Sequence, residues 1–194
     1  MTAPAKTDRT SEPAAAAAPA TVFVGLGANL GDAHAALRAA LQALSALAAG
    51  GAGARPFAAS SFWRSAPVDA PGPDFVNAVA RLDTALAPHA FLEALLAIER
   101  RFGRERPYRH APRTLDLDLL LYGVAGAGGG LTLEDARLAL PHPRAAQRAF
   151  VLEPLAELWP DGRIPGAGPL AVLLERVRAD PAQRIARDDP PSSR

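Results

Sequence analysis

The segment PRTLDLDLLLYG, residues 112–123, sets two aspartates, Asp116 and Asp118, inside a run of leucines. In an extended chain successive side chains point to opposite faces. Leu115, Leu117 and Leu119 then share one face and the two aspartates share the other. The carboxylates stand roughly 7 Å apart along the strand. Mutual repulsion and desolvation oppose such a pair unless a cation is held against it, and the candidates are arginine and a divalent metal. Both fit the surroundings: Glu99 lies upstream, and Arg104, Arg106, Arg109 and Arg113 crowd the intervening loop. Hard oxygen ligands on one strand face suit Mg²⁺, which takes one or two carboxylates and fills its other positions with water and substrate phosphate. Arginines around it would clamp the phosphates. Two such ions on one polyphosphate make the apparatus of phosphoryl transfer, in which catalysis is mostly positioning and charge neutralisation.

A second group of residues suits a flat ligand. In DFVNAVARLDT, Phe75 and Asn77 share one strand face, so a ring and an amide stand side by side, one able to stack on a heterocycle and the other to read its hydrogen-bonding edge. His142 lies between Pro141 and Pro143, and Arg148 and Phe150 follow at an expected helix start. An arginine there can reach phosphate and an aromatic can stack. The glycines of GLGANLG, Gly25, Gly27 and Gly31, are spaced G-x-G-x-x-x-G. That spacing matches neither a dinucleotide fingerprint nor a P-loop, and the segment reads as a tight turn from strand to helix.

The elements that must position these groups follow from period and punctuation. A strand over 21–26 leads through the glycines to a helix N-capped by Asp32 and striped by Leu37, Leu41, Leu44 and Leu47. Strands are predicted in RPFAASSFWRS and DFVNAVARLDT, separated by the proline-rich loop APVDAPGP. Pro88 opens a helix carrying Phe91, Leu95, Ile98 and Phe102, with Gly103 as its C-cap. The aspartate strand comes next, then a glycine-rich turn, the short segment RLALPHP and a helix from Arg144 towards Leu158. The order β, α, β, β, α, β, with extra helix at the C-terminus, predicts an α+β fold: a ferredoxin-like βαββαβ sandwich with an additional C-terminal helix and helices on one face of an antiparallel sheet.

At 194 residues the chain accommodates one domain, placed at 21–180, between an Ala/Pro-rich tail at 1–20 and a second tail at 181–194 that both lack the pattern to bury surface. With 21 basic and 20 acidic residues, the net charge of +1 gives no general attraction to nucleic acid or membrane. The absence of cysteine excludes disulfides, thiolate metal sites and a cysteine nucleophile. No run reaches the roughly 20 apolar residues of a membrane span. The expectation is a cytoplasmic, monomeric protein acting on small molecules.

Taken in order, GLGANLGD, SSFWRSAPV, DFVNAV, PRTLDLDLLLYG and LPHPRAAQRAFVLEPL resemble the 6-hydroxymethyl-7,8-dihydropterin pyrophosphokinases of folate biosynthesis. The resemblance implies a ferredoxin-like fold and transfer of pyrophosphate from ATP to the pterin hydroxymethyl group, leaving AMP. By matched positions it implies that Asp116 and Asp118 hold two Mg²⁺ ions and that Arg104 and Arg113 act on the triphosphate. Phe75 and Phe150 would sandwich the pterin, with Asn77 at its polar edge and Ser65, Pro67 and Val68 completing the pocket. Glu99, Arg106, Arg113, Leu119, Arg137, His142 and Arg148 would line the ATP side. The loop 104–113 is expected to open without nucleotide and close over it. Two rival classes remain. A two-metal phosphodiesterase or nuclease would use the same aspartates but calls for more carboxylates or histidines. An RNA-binding module would place the aspartates against phosphate without a metal between them.

Overall fold

The β-branched and aromatic residues near the start of the chain form β1 (Ala20–Ala28), which runs beyond its expected end, so Gly25 and Gly27 lie within a strand and not in a turn. The computed structural model describes residues 19–49, 54–67, 72–102, 114–124 and 129–188. Gly31, with φ at 61°, makes the actual turn, and Asp32 caps α1 (Ala33–Ser45) by accepting the Ala35 N–H at 2.8 Å. Leu37, Ala40 and Leu44 form its buried stripe.

The segment expected as one strand before the proline-rich loop is two: β2 (Ala58–Ala59) and β3 (Trp63–Ser65). Both pair with β4 (Phe75–Thr84), but Ala59 faces Ala80 whereas Trp63 faces Asn77, so one extra residue is accommodated between them. Ser60 bridges the break: its N–H donates to the Val79 carbonyl and its Oγ accepts the Val79 N–H, each at 2.9 Å. A bulge of this kind re-aims the side chains beyond it. Here it turns Trp63 to the Asn77 face.

Pro88 stands in the first turn of α2 (Pro88–Arg101), as expected; Gly103 lies outside the described residues. There follow β5 (Asp116–Tyr122), a small hairpin of β6 (Leu133–Glu134) and β7 (Ala139–Leu140), and α3 (Ala149–Leu158). The helix expected from Arg144 is interrupted. A 3-10 turn covers Ala145–Gln147, and Arg148 is extended, with φ −124° and ψ 119°, before α3 begins. The chain ends with the pair β8 (Arg163–Ile164) and β9 (Gly168–Pro169), α4 (Leu170–Ala179) and β10 (Ile185–Arg187).

The main sheet has the order β10-β3-β4-β1-β5, with β2 also on β4, and its pairs are antiparallel. α1 and α2 cover one face through Leu37, Leu44, Phe91, Leu95 and Ile98, packed on Val22, Val24, Leu26 and Leu117. The expectation of helices on one face only is corrected: α3 and α4 bury Phe23, Val79, Leu120 and Leu121 on the other. α4 was legible in Leu170, Leu173, Leu174 and Val177 at helical spacing. The expectation of an unstructured end from residue 181 is also corrected, because Ile185–Arg187 pairs with β3. Nothing local signals that strand; its partner lies over a hundred residues earlier. Among the described residues no helix is long and apolar enough to cross a membrane.

Candidate active site

Directly paired residues of an antiparallel sheet share a face. One row across the sheet therefore holds Asp116, Gly27, Asn77, Trp63 and Arg187, and the next holds Asp118, Gly25 and Val79. This is the face that α3 and α4 cover only at its far end. Glycine stands opposite each aspartate, so between Asp116 and Asn77 the floor is the bare backbone of Gly27. A Cβ at Gly27 would lie 3.4 Å from Asn77 Oδ1 and 3.9 Å from the Phe75 ring, and one at Gly25 would touch Leu120 at 3.4 Å. The G-x-G spacing has its meaning in a strand, where period two aims both missing side chains at one site.

Asp116 and Asp118 are half-buried while Leu115, Leu117 and Leu119 are buried, the alternation expected from their spacing. The pairing with β1 shifts by one residue between Val24 and Phe23, so Leu120 is an extra residue and both it and Leu121 pack under α3 and α4. The Leu120 carbonyl accepts the His142 N–H at 2.9 Å. The bulge thereby anchors the histidine beside the aspartates. Burial holds the His142 imidazole below its ordinary pKa, against an upward pull from Asp118 and a weaker one from Asp116; Arg148 and Arg144 push it down. Its Nδ1 faces the Arg144 N–H at 3.3 Å, which leaves the proton to Nε2 in the neutral ring.

Glu99 has no solvent exposure, and its Oε1 accepts the Leu117 N–H at 2.9 Å. That N–H lies between the two aspartates, on the side of β5 turned away from β1. Among the described residues no three acidic or histidine side chains form a metal-sized cluster. Two hard carboxylates above a side-chain-free floor fit Mg²⁺ that shares its ligands with a substrate polyphosphate, the usual way that ion is held.

On the other side of the glycine floor, Asn77 is buried and Nδ2 donates to Ser65 Oγ at 3.0 Å and to the Trp63 carbonyl at 3.3 Å. With the amide nitrogen committed to β3, Oδ1 is left over Gly27 as an acceptor for a ligand N–H. Phe75 and Phe150 are each partly exposed, and the Arg148 guanidinium lies 5.2 Å from the Phe150 ring centre. Two turns after Phe150 on the same side of α3, Glu157 closes that end, accepting from Trp63 Nε1 and from the Ser61 N–H, both at 2.8 Å. Trp63 and Glu157 were not singled out from the sequence, because only the bulge at Ser60 brings them together.

Residues 23–160 match the family model of 7,8-dihydro-6-hydroxymethylpterin-pyrophosphokinase. The chain belongs to that family. It is a pyrophosphokinase of folate biosynthesis that uses ATP. It is similar to the 2-amino-4-hydroxy-6-hydroxymethyldihydropteridine pyrophosphokinase of Pseudomonas aeruginosa, 43% identical over 165 residues, 84% of this chain and 96% of that one. The Synechocystis protein of the same name is 42% identical over 155 residues, 79% of this chain and 74% of that one. A crystal structure of Plasmodium falciparum HPPK-DHPS shares the fold, with a TM-score of 0.60 at 12% identity over 81% of this chain and 45% of that one.

In the pyrophosphokinase, Asp116, Asp118, His142 and Arg148 converge, as do Ser65, Phe75 and Asn77. Pro67 follows Ser65 on the same edge, half-buried. Other expected positions have contacts of their own or lie outside the described residues. The Leu119 side chain is buried in the core under α1 and α2, on the face away from the aspartates, so only its backbone remains for nucleotide. Arg137 is paired with Glu93 on α2. One oxygen of Glu99 holds β5. Arg104, Arg106, Arg113, Val68 and the closing loop 104–113 lie outside the described residues.

Proposed function

We propose that the cleft on this sheet face binds Mg·ATP along β5 and the pterin against β3 and β4, so that the pterin hydroxyl meets the polyphosphate above Gly25 and Gly27. The observation that carries this is the row Asp116, Gly27, Asn77: metal-suited carboxylates and a ring-reading amide on one face with no side chain between them. When bound, Mg²⁺ supplies charge neutralisation on the polyphosphate, and Asp116 and Asp118 would hold two such ions. Phe75 and Phe150 take the faces of the heterocycle, Asn77 Oδ1 accepts from its polar edge, and Ser65, Pro67 and Val68 close the pocket. His142 and Arg148 contact the nucleotide phosphates, while Arg104, Arg106 and Arg113 act on the triphosphate during transfer. Leu119 by its backbone and Arg137 belong to the ATP side.

The strand order β3-β4-β1-β5, antiparallel and with α1 and α2 on one face, supports a ferredoxin-like βαββαβ core. In this proposal one catalytic domain over 21–180, extended by β10, acts as a monomeric enzyme. Use of ATP supports a cytoplasmic setting. The test is incubation with hydroxymethyl-dihydropterin, ATP and Mg²⁺, assayed for AMP, in wild type, Asp116→Asn and Asp118→Asn. Each variant is expected to lose at least about a hundredfold in turnover with an unchanged melting temperature. Turnover within about tenfold of wild type in either one rejects the metal assignment.

A further inference from the structure

The family match ends at residue 160, yet the chain beyond it returns to the sheet. Ile185, Ala186 and Arg187 run antiparallel to Ser65, Arg64 and Trp63. β3 is only three residues long, and a strand of that length with a single partner is a weak edge. β10 makes it an interior strand.

Two consecutive residues then grip β3 from both faces. On the cleft face the Arg187 guanidinium lies 5.6 Å from the Trp63 ring centre and 3.3 Å from Glu157 Oε1, the oxygen that also accepts Trp63 Nε1. On the helix face the Asp188 carboxylate accepts Arg64 Nη2 at 2.9 and 3.0 Å and stands 3.1 Å from His34 Nε2 on α1. The Asp188 N–H donates to the Phe62 carbonyl at 2.8 Å. These contacts converge on the strand whose Ser65 Oγ and Trp63 carbonyl hold the Asn77 amide.

We infer that β10 is a strap that positions the pterin wall: Arg187 and Asp188 set pterin affinity by holding β3 in the register that orients Asn77. This rests on the assignment of Asn77 and Ser65 to pterin. The aspartates stand across β4 and β1 from the strap, so nucleotide affinity is an internal reference.

The experiment compares the full chain with Arg187→Ala, Asp188→Ala, a chain ending at Arg184, and Asn77→Ala. Pterin KM and kcat are measured at saturating Mg·ATP, and the dissociation constant of a non-hydrolysable ATP analogue is measured by calorimetry. The truncated chain and Asp188→Ala are expected to raise pterin KM about tenfold, with kcat within about threefold and nucleotide affinity within about twofold of the full chain. Arg187→Ala should shift KM in the same direction by a smaller factor. Pterin KM within about twofold of wild type in both point variants overturns the strap, as does an equal loss of nucleotide affinity. The point variants decide the matter if the truncated chain fails to fold. A raised KM in Asn77→Ala beside unchanged strap variants overturns the strap alone; an unchanged KM in Asn77→Ala removes the pterin wall, and the strap's role with it.

Discussion

Glu99 is a carboxylate without solvent exposure in a core of leucine, isoleucine and phenylalanine, with one oxygen on the Leu117 N–H. Burying a carboxylate is unfavourable unless its partners compensate, so the residue is there for what it holds. It satisfies the outward N–H of β5 between the two aspartates, at an edge of the described sheet. Glu99→Leu removes that acceptor and should lose about 1–3 kcal/mol of stability, the desolvation penalty of one unsatisfied N–H. Glu99→Gln keeps an oxygen for it. The leucine variant should also need more Mg²⁺ for half-maximal activity, because the carboxylates it misaligns are the proposed ligands. Thermal melts and a Mg²⁺ titration of both variants check this; equal behaviour of the two would show that the bond to Leu117 has no such role. The Asp116 and Asp118 face was legible because strand alternation is a local property. The target of Glu99 was not, since it depends on which side of β5 is left without a strand partner.

At the scale of elements, β1 carries two glycines where a strand ordinarily profits from side chains. Gly25 and Gly27 face Asp118 and Asp116; Leu120 packs over Gly25, while the missing side chain at Gly27 leaves room for a ligand beside Asn77. Gly27→Val would set an isopropyl group between Asp116 and Asn77 while improving strand propensity. The expected result is a loss of turnover of at least about a hundredfold with a melting temperature within about 3 °C of wild type. Turnover assays beside calorimetry measure the two together, and near-normal turnover would show that substrate does not cross this floor. The strand containing Phe75 and Asn77 was read correctly from its alternation. The bulge at Ser60 was not, because a serine hydroxyl replacing a backbone partner leaves no mark on hydrophobic period, and the run Leu119, Leu120, Leu121 does not tell which leucine is the extra residue.

For the whole molecule, the sheet joins two cores, and the second depends on a close fit at its far end. Trp159 stacks on Phe23 of β1 with ring centres 5.5 Å apart, and the buried Gly162 lies against its indole. A Cβ at Gly162 would overlap the Trp159 ring, so Gly162→Ala forces that ring out of its stack and should cost about 1–3 kcal/mol. A lowered melting temperature with unchanged pterin and nucleotide affinities is the expected outcome, read by calorimetry on the variant; an unshifted melt would mean that the indole relaxes freely. By itself the sequence determined the paired aspartates, the Phe75 and Asn77 face, and the helix starts at Asp32 and Pro88. Each follows from a period of two or 3.6 residues or from the chemistry of one cap. Only the tertiary structure decided that glycines stand opposite the aspartates, that Glu99 reaches Leu117, that α3 and α4 cover part of the second face, and that β10 returns to β3. Register and long-range pairing are set by which strands meet and where an extra residue is absorbed, and no local period carries that information.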